Sequence, residues 1–376
     1  MPLLYALIFL LLPPIAFAQQ PAVPSPPPIA AKAYVLTDFN SGQQLVGQNP
    51  NQRIEPASLT KLMTAYLTFS ALRQKTLKTD QVVPVSTRAW KSEGSRMFIE
   101  PNKPVAVEEL IKGMIVQSGN DACVALAEAI AGTEEVFAQM MNREAQRLGM
   151  KNTHFMNSTG LPNPQHYTTA ADLSLLANAI IRDFPEYYPY YSIKEYRYNN
   201  ITQSNRNRLL WVDPTVDGMK TGFTDNAGYC LITSARRGPR RLVSVVLGAG
   251  SESARATESQ KLLNYGFQFY DTAKLYDKNQ AVSTVKVWKG SSNTVKAGFP
   301  YELFLSVPKG AADKLKASVE TQQPLLAPIA AGQKIGVMRV ELEGKSYGEF
   351  PVVALEEVPL AGIFGRGWDS LRLLFK

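Results

Sequence analysis

Apolar and polar residues follow two different periods along this chain of 376 residues. From residue 32 to residue 278, helical runs such as 170–182 and 255–276 stand among strand-like runs, of which 33–38 is the first. Helical and strand patterns mixed in this way are typical of a packed domain that contains both kinds of element. The pattern therefore predicts one α+β domain over 32–278, opened and closed by antiparallel strands.

The period changes to a simple alternation after residue 278. Between 279 and 359, apolar and polar residues alternate in the runs 284–288, 301–307, 334–340 and 349–355. Period-two alternation between turn residues predicts half-buried strands. No set of residues suited to catalysis lies among them, so we expect a small all-β domain that acts as a spacer or docking module.

The first residues have the pattern of an export signal. Residues 1–18 are almost wholly apolar and end in Ala16-Phe17-Ala18, which fits a signal-peptide cleavage site. The run is short for a membrane span, and no Lys or Arg precedes Lys32. Residues 19–31 are rich in proline and predict an extended lead-in. We therefore expect an exported chain whose mature form begins near residue 19.

Residues 360–376 predict an amphipathic helix. At a helical step one arc is apolar and the other charged, with Leu373 as an exception; the apolar set is Leu360, Ile363, Phe364, Trp368, Leu371, Leu374 and Phe375, and the charged set is Arg366, Asp369, Arg372 and Lys376. Helices of this kind lie in membrane interfaces. We favour attachment to a membrane surface, and docking of the helix on its own protein stays open.

Composition and charge argue against several classes of function. Lys and Arg number 40 against 32 Asp and Glu, a net charge of +8, but no dense basic run with interleaved aromatics occurs. No nucleic-acid partner is therefore expected. The two histidines, His154 and His166, and the two cysteines, Cys123 and Cys230, have no zinc-ligand spacing. We expect no metal or other cofactor and two buried free thiols, although a disulfide stays open.

The first candidate for chemistry is Ser58-Leu59-Thr60-Lys61, in a run after Pro56 that predicts a buried helix. Positions i and i+3 share a helix face, so Lys61 can reach the Ser58 hydroxyl. A serine needs such a base to become a nucleophile. Burial and a second cation such as Lys220 would favour the neutral amine. The same four residues could also belong to a core helix without a catalytic role, whose lysine extends to solvent.

The second candidate, Ser118-Gly119-Asn120, stands between the helical runs 107–116 and 122–129. It predicts a tight turn in which Gly119 allows an unusual backbone angle. Ser118 could pass a proton between the base and a leaving amine, and the Asn120 amide could hold a substrate peptide group. Both residues could instead only cap the following helix, where they are favoured.

The third candidate, Lys220-Thr221-Gly222, precedes the strand-like runs 228–235 and 241–248. This order predicts an exposed strand of an antiparallel sheet, along which an extended peptide can pair. Gly222 has no side chain to block that approach. Lys220 and Thr221 would then face the carboxylate of the peptide, although these three residues also occur at ordinary strand ends.

With the three motifs in this order, the chain resembles the serine-type D-alanyl-D-alanine carboxypeptidases, the low-molecular-mass penicillin-binding proteins of peptidase family S11. The resemblance covers essentially the whole mature chain, including Thr159-Gly160-Leu161-Pro162. It implies a β-lactamase/transpeptidase-like catalytic domain, an antiparallel sheet with helices on both faces. The all-β domain and the C-terminal amphipathic helix would follow it.

The resemblance also implies a role for each motif. Ser58 would be the acyl-ester nucleophile and Lys61 its proton acceptor, and the backbone N–H groups of Ser58 and Phe223 would form the oxyanion hole. The other implied site residues are Ser118 and Asn120 for catalysis, and Lys220, Thr221, Gly222, Phe223, Arg206 and Arg255 for substrate binding. Either arginine could grip a carboxylate or serve as a structural salt-bridge partner. Close relatives often have histidine at the position of Phe223.

The implied function is release of the C-terminal D-alanine from peptidoglycan stem pentapeptides at the periplasmic face of the inner membrane. β-Lactam antibiotics would acylate the same serine. A serine β-lactamase stays open, although no Glu-x-x-Leu-Asn stretch occurs between the second and third motifs. A D-Ala-D-Ala endopeptidase also stays open, although such relatives usually lack the long β domain. A non-catalytic wall-binding scaffold is the alternative from another class.

Overall fold

The computed structural model describes residues 23–373. The predicted signal peptide, the first residues of the proline-rich lead-in, and Leu374 and Phe375 of the tail lie outside this range. Residues 23–30 have no regular secondary structure.

Helices and strands are both numbered in chain order. The helices are α1 (Lys61–Arg73), α2 (Thr87–Trp90), α3 (Val107–Lys112), α4 (Asn120–Ala131), α5 (Glu134–Arg147), α6 (Ala170–Asp183), α7 (Leu209–Val212), α8 (Glu252–Phe269) and α9 (Ile363–Leu373). The strands are β1 (Ala33–Asp38), β2 (Gln44–Gln48), β3 (Val82–Val83), β4 (Val105–Ala106), β5 (Glu195–Tyr198), β6 (Ile201–Ser204), β7 (Val216–Thr224), β8 (Gly228–Arg237), β9 (Arg240–Ala249), β10 (Tyr270–Tyr276), β11 (Ala281–Trp288), β12 (Thr294–Gly298), β13 (Leu303–Pro308), β14 (Leu315–Thr321), β15 (Leu325–Leu326), β16 (Lys334–Leu342) and β17 (Lys345–Ala354).

A five-stranded antiparallel sheet in the order β2-β1-β9-β8-β7 forms the centre of the first domain. Successive side chains of a strand point to opposite faces, and here both faces are apolar. Val35 and Val245 pack with α1, α4 and α6 on one face, while Leu36 and Val246 pack with α8 on the other. The predicted antiparallel sheet with helices on both faces is confirmed.

The second domain is built around its own apolar core. A six-stranded sheet in the order β14-β16-β17-β12-β11-β15 and a two-stranded sheet of β10 and β13 form it. The four alternating runs of the sequence correspond to β11, β13, β16 and β17. The predicted all-β domain is therefore confirmed.

The predicted helix over 255–276 is wrong in its last part. The helix α8 ends at Phe269, and Tyr270–Tyr276 continues as strand β10. This strand pairs antiparallel with β13, in the register Tyr270 with Pro308 and Ala273 with Leu305. The partner strand β13 lies further along the chain than the local window from which the helix was predicted. Pairing with this distant strand therefore overrides the helical preference of the segment.

A buried ion pair of the first domain contacts the second domain. Asp38, at the end of β1, is fully buried, and its Oδ2 accepts a hydrogen bond from Arg240 Nε at 3.0 Å. The same oxygen accepts a hydrogen bond from Thr272 Oγ1 in β10. Nearby, Ser306 N in β13 donates to Gln43 Oε1 at 2.6 Å. Polar contacts of both domains therefore meet at one buried carboxylate.

The C-terminal segment is helical from Ile363 to Leu373. Ile363 and Trp368 are exposed, and Asp369 Oδ2 accepts a hydrogen bond from Lys289 N at 2.6 Å. The helix therefore contacts the all-β domain through its polar side. No helix within residues 23–373 is both long enough and apolar enough to cross a membrane. Attachment to a membrane surface stays a prediction.

Both cysteines are buried and free, as expected. Cys123 lies in α4 and Cys230 in β8. Burial raises the pKa of the Cys123 thiol to about 12 and that of Cys230 to about 11, so both remain thiols at neutral pH.

Candidate active site

Ser58 and Lys61 lie at the start of α1. A single turn of 3₁₀ helix, Ala57–Thr60, leads directly into α1, and Ala57 has a positive φ of 50°. This turn aligns Lys61 with the serine, so that Lys61 Nζ lies 3.0 Å from Ser58 Oγ. The helix is buried along nearly its whole length, and Lys61 is buried with it. The predicted proximity and burial are both present.

The Lys61 amine is surrounded by three oxygen acceptors. Besides Ser58 Oγ, it donates to Asn120 Oδ1 at 2.7 Å and to the Thr159 carbonyl oxygen at 2.5 Å. Burial lowers the pKa of Lys61 to about 8, and repulsion from nearby Arg206 contributes to that lowering. A substantial fraction of the lysine is therefore neutral slightly above physiological pH.

Ser118 follows a π-helical turn, Gly113–Gln117, and Asn120 is the first residue of α4. The unusual backbone angle is at Ser118, with φ 67°, and not at Gly119, where it was predicted. Gly119 is needed for another reason, because a Cβ there would lie 2.8 Å from Asp121 Oδ1 and 3.1 Å from Met97 N. The prediction placed the right turn but assigned its strain to the wrong residue.

Neither polar side chain of this motif caps α4. The Ncap residue is Gly119, and no side chain accepts a hydrogen bond there. Ser118 Oγ instead accepts from Lys220 Nζ at 2.9 Å, while Asn120 accepts from Lys61. The alternative that Ser118 and Asn120 only cap the following helix is therefore wrong.

Lys220, Thr221 and Gly222 lie on β7, at the edge of the central sheet. The strand is at the edge as predicted, but all three residues are buried and not exposed. Burial, together with repulsion from Lys61 and Arg206, holds the pKa of Lys220 well below its usual range. The site thus contains two amines of lowered pKa. Lys61 lies beside the Ser58 hydroxyl, and Lys220 lies beside the Ser118 hydroxyl.

Gly222 faces the nucleophile turn. A Cβ at Gly222 would lie 3.3 Å from the Cβ of Ala57 and 3.3 Å from Leu59 N. The glycine therefore lets β7 approach the turn that holds Ser58. This contact differs from the predicted reason, which was access for a substrate.

The remaining predicted residues line one cleft of about 360 Å³ with Ser58. Arg255 is buried, 3.4 Å from the Gly222 carbonyl oxygen and 3.3 Å from a Glu252 carboxylate oxygen. Arg206 is exposed and forms no ion pair with any residue of the described range. The sequence left open whether either arginine is a structural salt-bridge partner. Arg255 forms such a pair with Glu252, whereas Arg206 forms none within the described residues. Phe223 is 48% exposed, and its ring lies 4.4 Å from that of Tyr229.

Family models match both domains. Residues 20–251 match the model of D-alanyl-D-alanine carboxypeptidases, peptidase family S11. This chain belongs to that carboxypeptidase family. Residues 270–360 match the model of the C-terminal domain of penicillin-binding protein 5.

Relatives resemble this carboxypeptidase along nearly its whole length. It is 42% identical to the D-alanyl-D-alanine carboxypeptidase DacC of Escherichia coli, over 96% of this chain and 92% of the relative. The solved penicillin-binding protein 5 of Haemophilus influenzae aligns with a TM-score of 0.86 at 42% identity, covering 89% of this chain and 99% of that one. Penicillin-binding protein D2 of Listeria monocytogenes, solved in its ampicillin-bound form, aligns with a TM-score of 0.59 at 32% identity over 64% of this chain and 98% of that one.

Sequence reasoning missed one buried carboxylate of this carboxypeptidase. Asp121 accepts hydrogen bonds from the backbone N–H groups of Met97, Phe98, Ile99 and Ala122, at 2.9 to 3.2 Å. Just before these residues, Ser95 lines the cleft, and its carbonyl oxygen accepts from Asn120 N at 2.7 Å. An aspartate in the first turn of a helix predicts only a favourable dipole interaction, so nothing local indicated this contact.

Sequence reasoning also missed the reason for Gly160. This residue has φ 90°, and a Cβ there would lie 1.8 Å from the Ala57 carbonyl oxygen and 3.0 Å from Ser58 N. The preceding residue, Thr159, supplies the carbonyl that holds Lys61. The nucleophile turn therefore lies between Gly160, where no Cβ fits, and Gly222, where a Cβ would make tight contacts of 3.2 to 3.3 Å.

We expect Gly160→Ala to lower the rate of D-alanine release at least about 100-fold, because the added Cβ must displace the backbone beside Ser58. Gly149→Ala is the matched control, since Gly149 also has a positive φ of 82° but no atom within 4 Å of its Cβ position. The control should lose about 1 kcal/mol of stability and little activity. Release assays and thermal melts measure both, and equal activity in the two variants would contradict the steric argument.

Proposed function

We propose that this carboxypeptidase releases the terminal D-alanine of peptidoglycan stem pentapeptides through an ester on Ser58, with Lys61 as the base. The observation that carries the proposal is the environment of Lys61 Nζ. A buried amine of lowered pKa lies 3.0 Å from a serine hydroxyl in the cleft. A base of matched pKa within hydrogen-bond distance of a nucleophile is what acyl transfer requires.

The acceptors around Lys61 determine where its lone pair points. A neutral amine has two N–H bonds, and Asn120 Oδ1 and the Thr159 carbonyl oxygen accept them. The lone pair is then directed to Ser58 Oγ, which donates its proton as it attacks the scissile carbonyl. The same two acceptors stabilise the ammonium ion that forms. Asn120 and Thr159 thus orient the base in both of its protonation states.

The leaving D-alanine must receive a proton as the tetrahedral intermediate collapses. Ser118 would pass on this proton, and the position of its hydroxyl supports this role, because Ser118 lines the cleft and its Oγ lies 2.9 Å from Lys220 Nζ. The backbone N–H groups of Ser58 and Phe223 would hold the oxyanion. Thr221, Arg206 and Arg255 would hold the terminal carboxylate, which explains a requirement for a free C-terminus.

The test uses a stem pentapeptide, with free D-alanine measured over time. Benzylpenicillin is then added, and the adduct is located by mass spectrometry of the digested protein. We expect D-alanine release, inhibition by penicillin, and an adduct on the peptide that contains Ser58. An adduct without D-alanine release from the pentapeptide would favour a crosslink endopeptidase. Rapid loss of the adduct would favour a β-lactamase. The absence of both D-alanine release and the adduct would favour a scaffold.

The pH dependence of acylation follows from the pKa of Lys61. Burial lowers this pKa to about 8, and only the neutral amine can accept the serine proton. The second-order rate of penicillin acylation should therefore rise about tenfold per pH unit below pH 8 and level off above it. Stopped assays between pH 6 and 9.5, with thermal melts at each pH, measure this. A rate that is flat or falls over that range would contradict Lys61 as the base.

The location of the enzyme is also part of the proposal. The apolar segment 1–18 and its Ala16-Phe17-Ala18 end support export to the periplasm. The exposed Ile363 and Trp368 of α9, with Arg366 and Arg372, support peripheral binding to an anionic membrane surface. Sedimentation with anionic vesicles, compared between the full chain and a chain ending at Leu360, tests the second point.

A further inference from the structure

A second groove adjoins the reaction cleft. Its volume is about 480 Å³, and its lining is Ser204, Asn205, Arg206, Arg208, Trp211, Val212 and Glu252. We call it the Arg208 groove. It shares Arg206 and Glu252 with the reaction cleft. A molecule that passes Arg206 in the cleft can therefore continue into the Arg208 groove.

The two arginines of this groove project from a fixed backbone. Residues 205–209 alternate strictly, with Asn205 and Asn207 buried and Arg206 and Arg208 exposed. Asn205 Nδ2 donates to a backbone carbonyl at 3.0 Å, and Asn207 Nδ2 donates to the Gly218 carbonyl oxygen in β7, also at 3.0 Å. The Asn207 amide ties this segment to the strand that bears the third motif, and the Asn205 amide ties it to the Ile193 carbonyl oxygen. The arginine positions are therefore held in register with the reaction cleft.

The charge of the Arg208 groove is positive and uncompensated. Neither Arg206 nor Arg208 has an ion pair or a side-chain hydrogen bond to any residue between 23 and 373. The acid in the lining, Glu252, lies 3.3 Å from Arg255 and so shares its charge with that residue. Two unpaired guanidinium groups beside a cleft favour an anionic ligand, and a carboxylate suits their geometry.

Two residues of the Arg208 groove add apolar surface to its lining. Trp211 and Val212, from the short helix α7, are 45% and 64% exposed. An exposed indole beside a cation provides contact area for methylene groups at little cost in conformational entropy. The lining of the Arg208 groove therefore combines two guanidinium groups with an apolar surface.

We propose that the Arg208 groove binds leaving groups longer than D-alanine. The ligand class is a C-terminal D-amino acid whose side chain continues through methylene groups to a second carboxylate. This inference rests on the proposed function, which places the terminal carboxylate of the substrate at Arg206 and Arg255. A D-alanine side chain ends at that point, whereas a longer one crosses Trp211 and brings its carboxylate to Arg208.

The chemistry at Ser58 is the same for both leaving groups. The scissile amide bond breaks as the Ser58 ester forms, and the departing amine gains one proton. Water then cleaves the ester and restores the serine hydroxyl. The Arg208 groove changes only which amines depart readily, so it determines specificity and takes no part in proton transfer.

The test compares two synthetic peptides that share one donor sequence and differ in the last residue, D-alanine or D-2-aminopimelate. The readout is the ratio of kcat/KM for the D-2-aminopimelate peptide to kcat/KM for the D-alanine peptide, measured in each protein. We expect Arg208→Gln and Trp211→Ala each to lower this ratio about three- to tenfold. Arg143→Gln and Trp90→Ala are matched controls, because both residues are exposed and neither lines the groove. The controls should leave the ratio as it is.

The possible results separate the groove from the proposed function. If both peptides are cleaved and neither groove variant changes the ratio, the leaving-group assignment is overturned. It is also overturned if a groove variant lowers kcat/KM equally for both peptides. A ratio that changes only when the peptides carry a disaccharide would likewise overturn it, because that result would indicate a sugar site. If the unaltered protein releases neither residue, the proposed function fails, and the groove assignment fails with it.

Discussion

Ser58→Ala should abolish D-alanine release and covalent labelling by penicillin, with a fall in kcat of roughly 10⁶-fold. The Ser58 hydroxyl is the oxygen that Lys61 Nζ approaches within the cleft, at 3.0 Å. Without it the carbonyl has no attacking atom, and the oxyanion donors alone provide little turnover. The measurements are free D-alanine and the mass of the intact protein after penicillin treatment.

Ser70→Ala is the matched control for this variant. Ser70 lies on the same helix, α1, and within residues 23–373 its hydroxyl accepts a hydrogen bond only from exposed Gln74, at 3.0 Å. The control should release D-alanine within about twofold of the unaltered protein. Residual release by Ser58→Ala above one part in a thousand would mean that another group can form the acyl-enzyme.

Lys61→Met is expected to lower both D-alanine release and penicillin acylation by about 10²- to 10⁴-fold, the usual contribution of a general base. Methionine approximates the volume of the lysine stem, so the packing of α1 should survive. Unlike Ser58→Ala, this variant should still form the penicillin adduct over hours, because the nucleophile remains. The measurement is the rate at which the adduct appears in intact-protein mass spectra.

Lys61→Arg separates charge from basicity at the same position. Arginine keeps a cation beside Ser58, but its pKa is too high for it to lose a proton at neutral pH. If Lys61 acts as the base, both variants should lose activity to a similar extent. Acylation by Lys61→Arg within tenfold of the unaltered protein would instead mean that positive charge alone is required, and thermal melts would show that both variants are folded.

The sequence predicted those parts of the site that depend on local spacing. Ser58 and Lys61 are three positions apart on a helical turn, so their proximity follows from helix geometry. The edge position of Lys220 follows from the order of strand-like runs, and it is confirmed. Local periodicity also identified four strands of the all-β domain, β11, β13, β16 and β17, because they alternate regularly.

The sequence did not predict contacts that depend on distant segments. The Thr159 carbonyl oxygen meets Lys61 across 98 residues of chain, and backbone carbonyls carry no sequence signal. The fit of Gly160 against Ala57 likewise arises only after the two segments pack together. The local pattern predicts helix where strand β10 lies, because it contains no information about the partner strand β13. Long-range packing, and not propensity, decided each of these features.

The shared carboxylate of Asp38 has a consequence for unfolding. Separating the domains would remove the Thr272 hydroxyl from the Asp38 carboxylate, and the loss of a hydrogen bond to a buried charged group costs about 1.5 to 3 kcal/mol. It would also expose the ion pair of Asp38 and Arg240, which both belong to the catalytic domain, to water. The catalytic domain and the all-β domain are therefore expected to melt in one cooperative transition, not in two. The heat tolerance of peptide cleavage then depends on the packing of β16 and β17, strands that contribute no residue to the cleft.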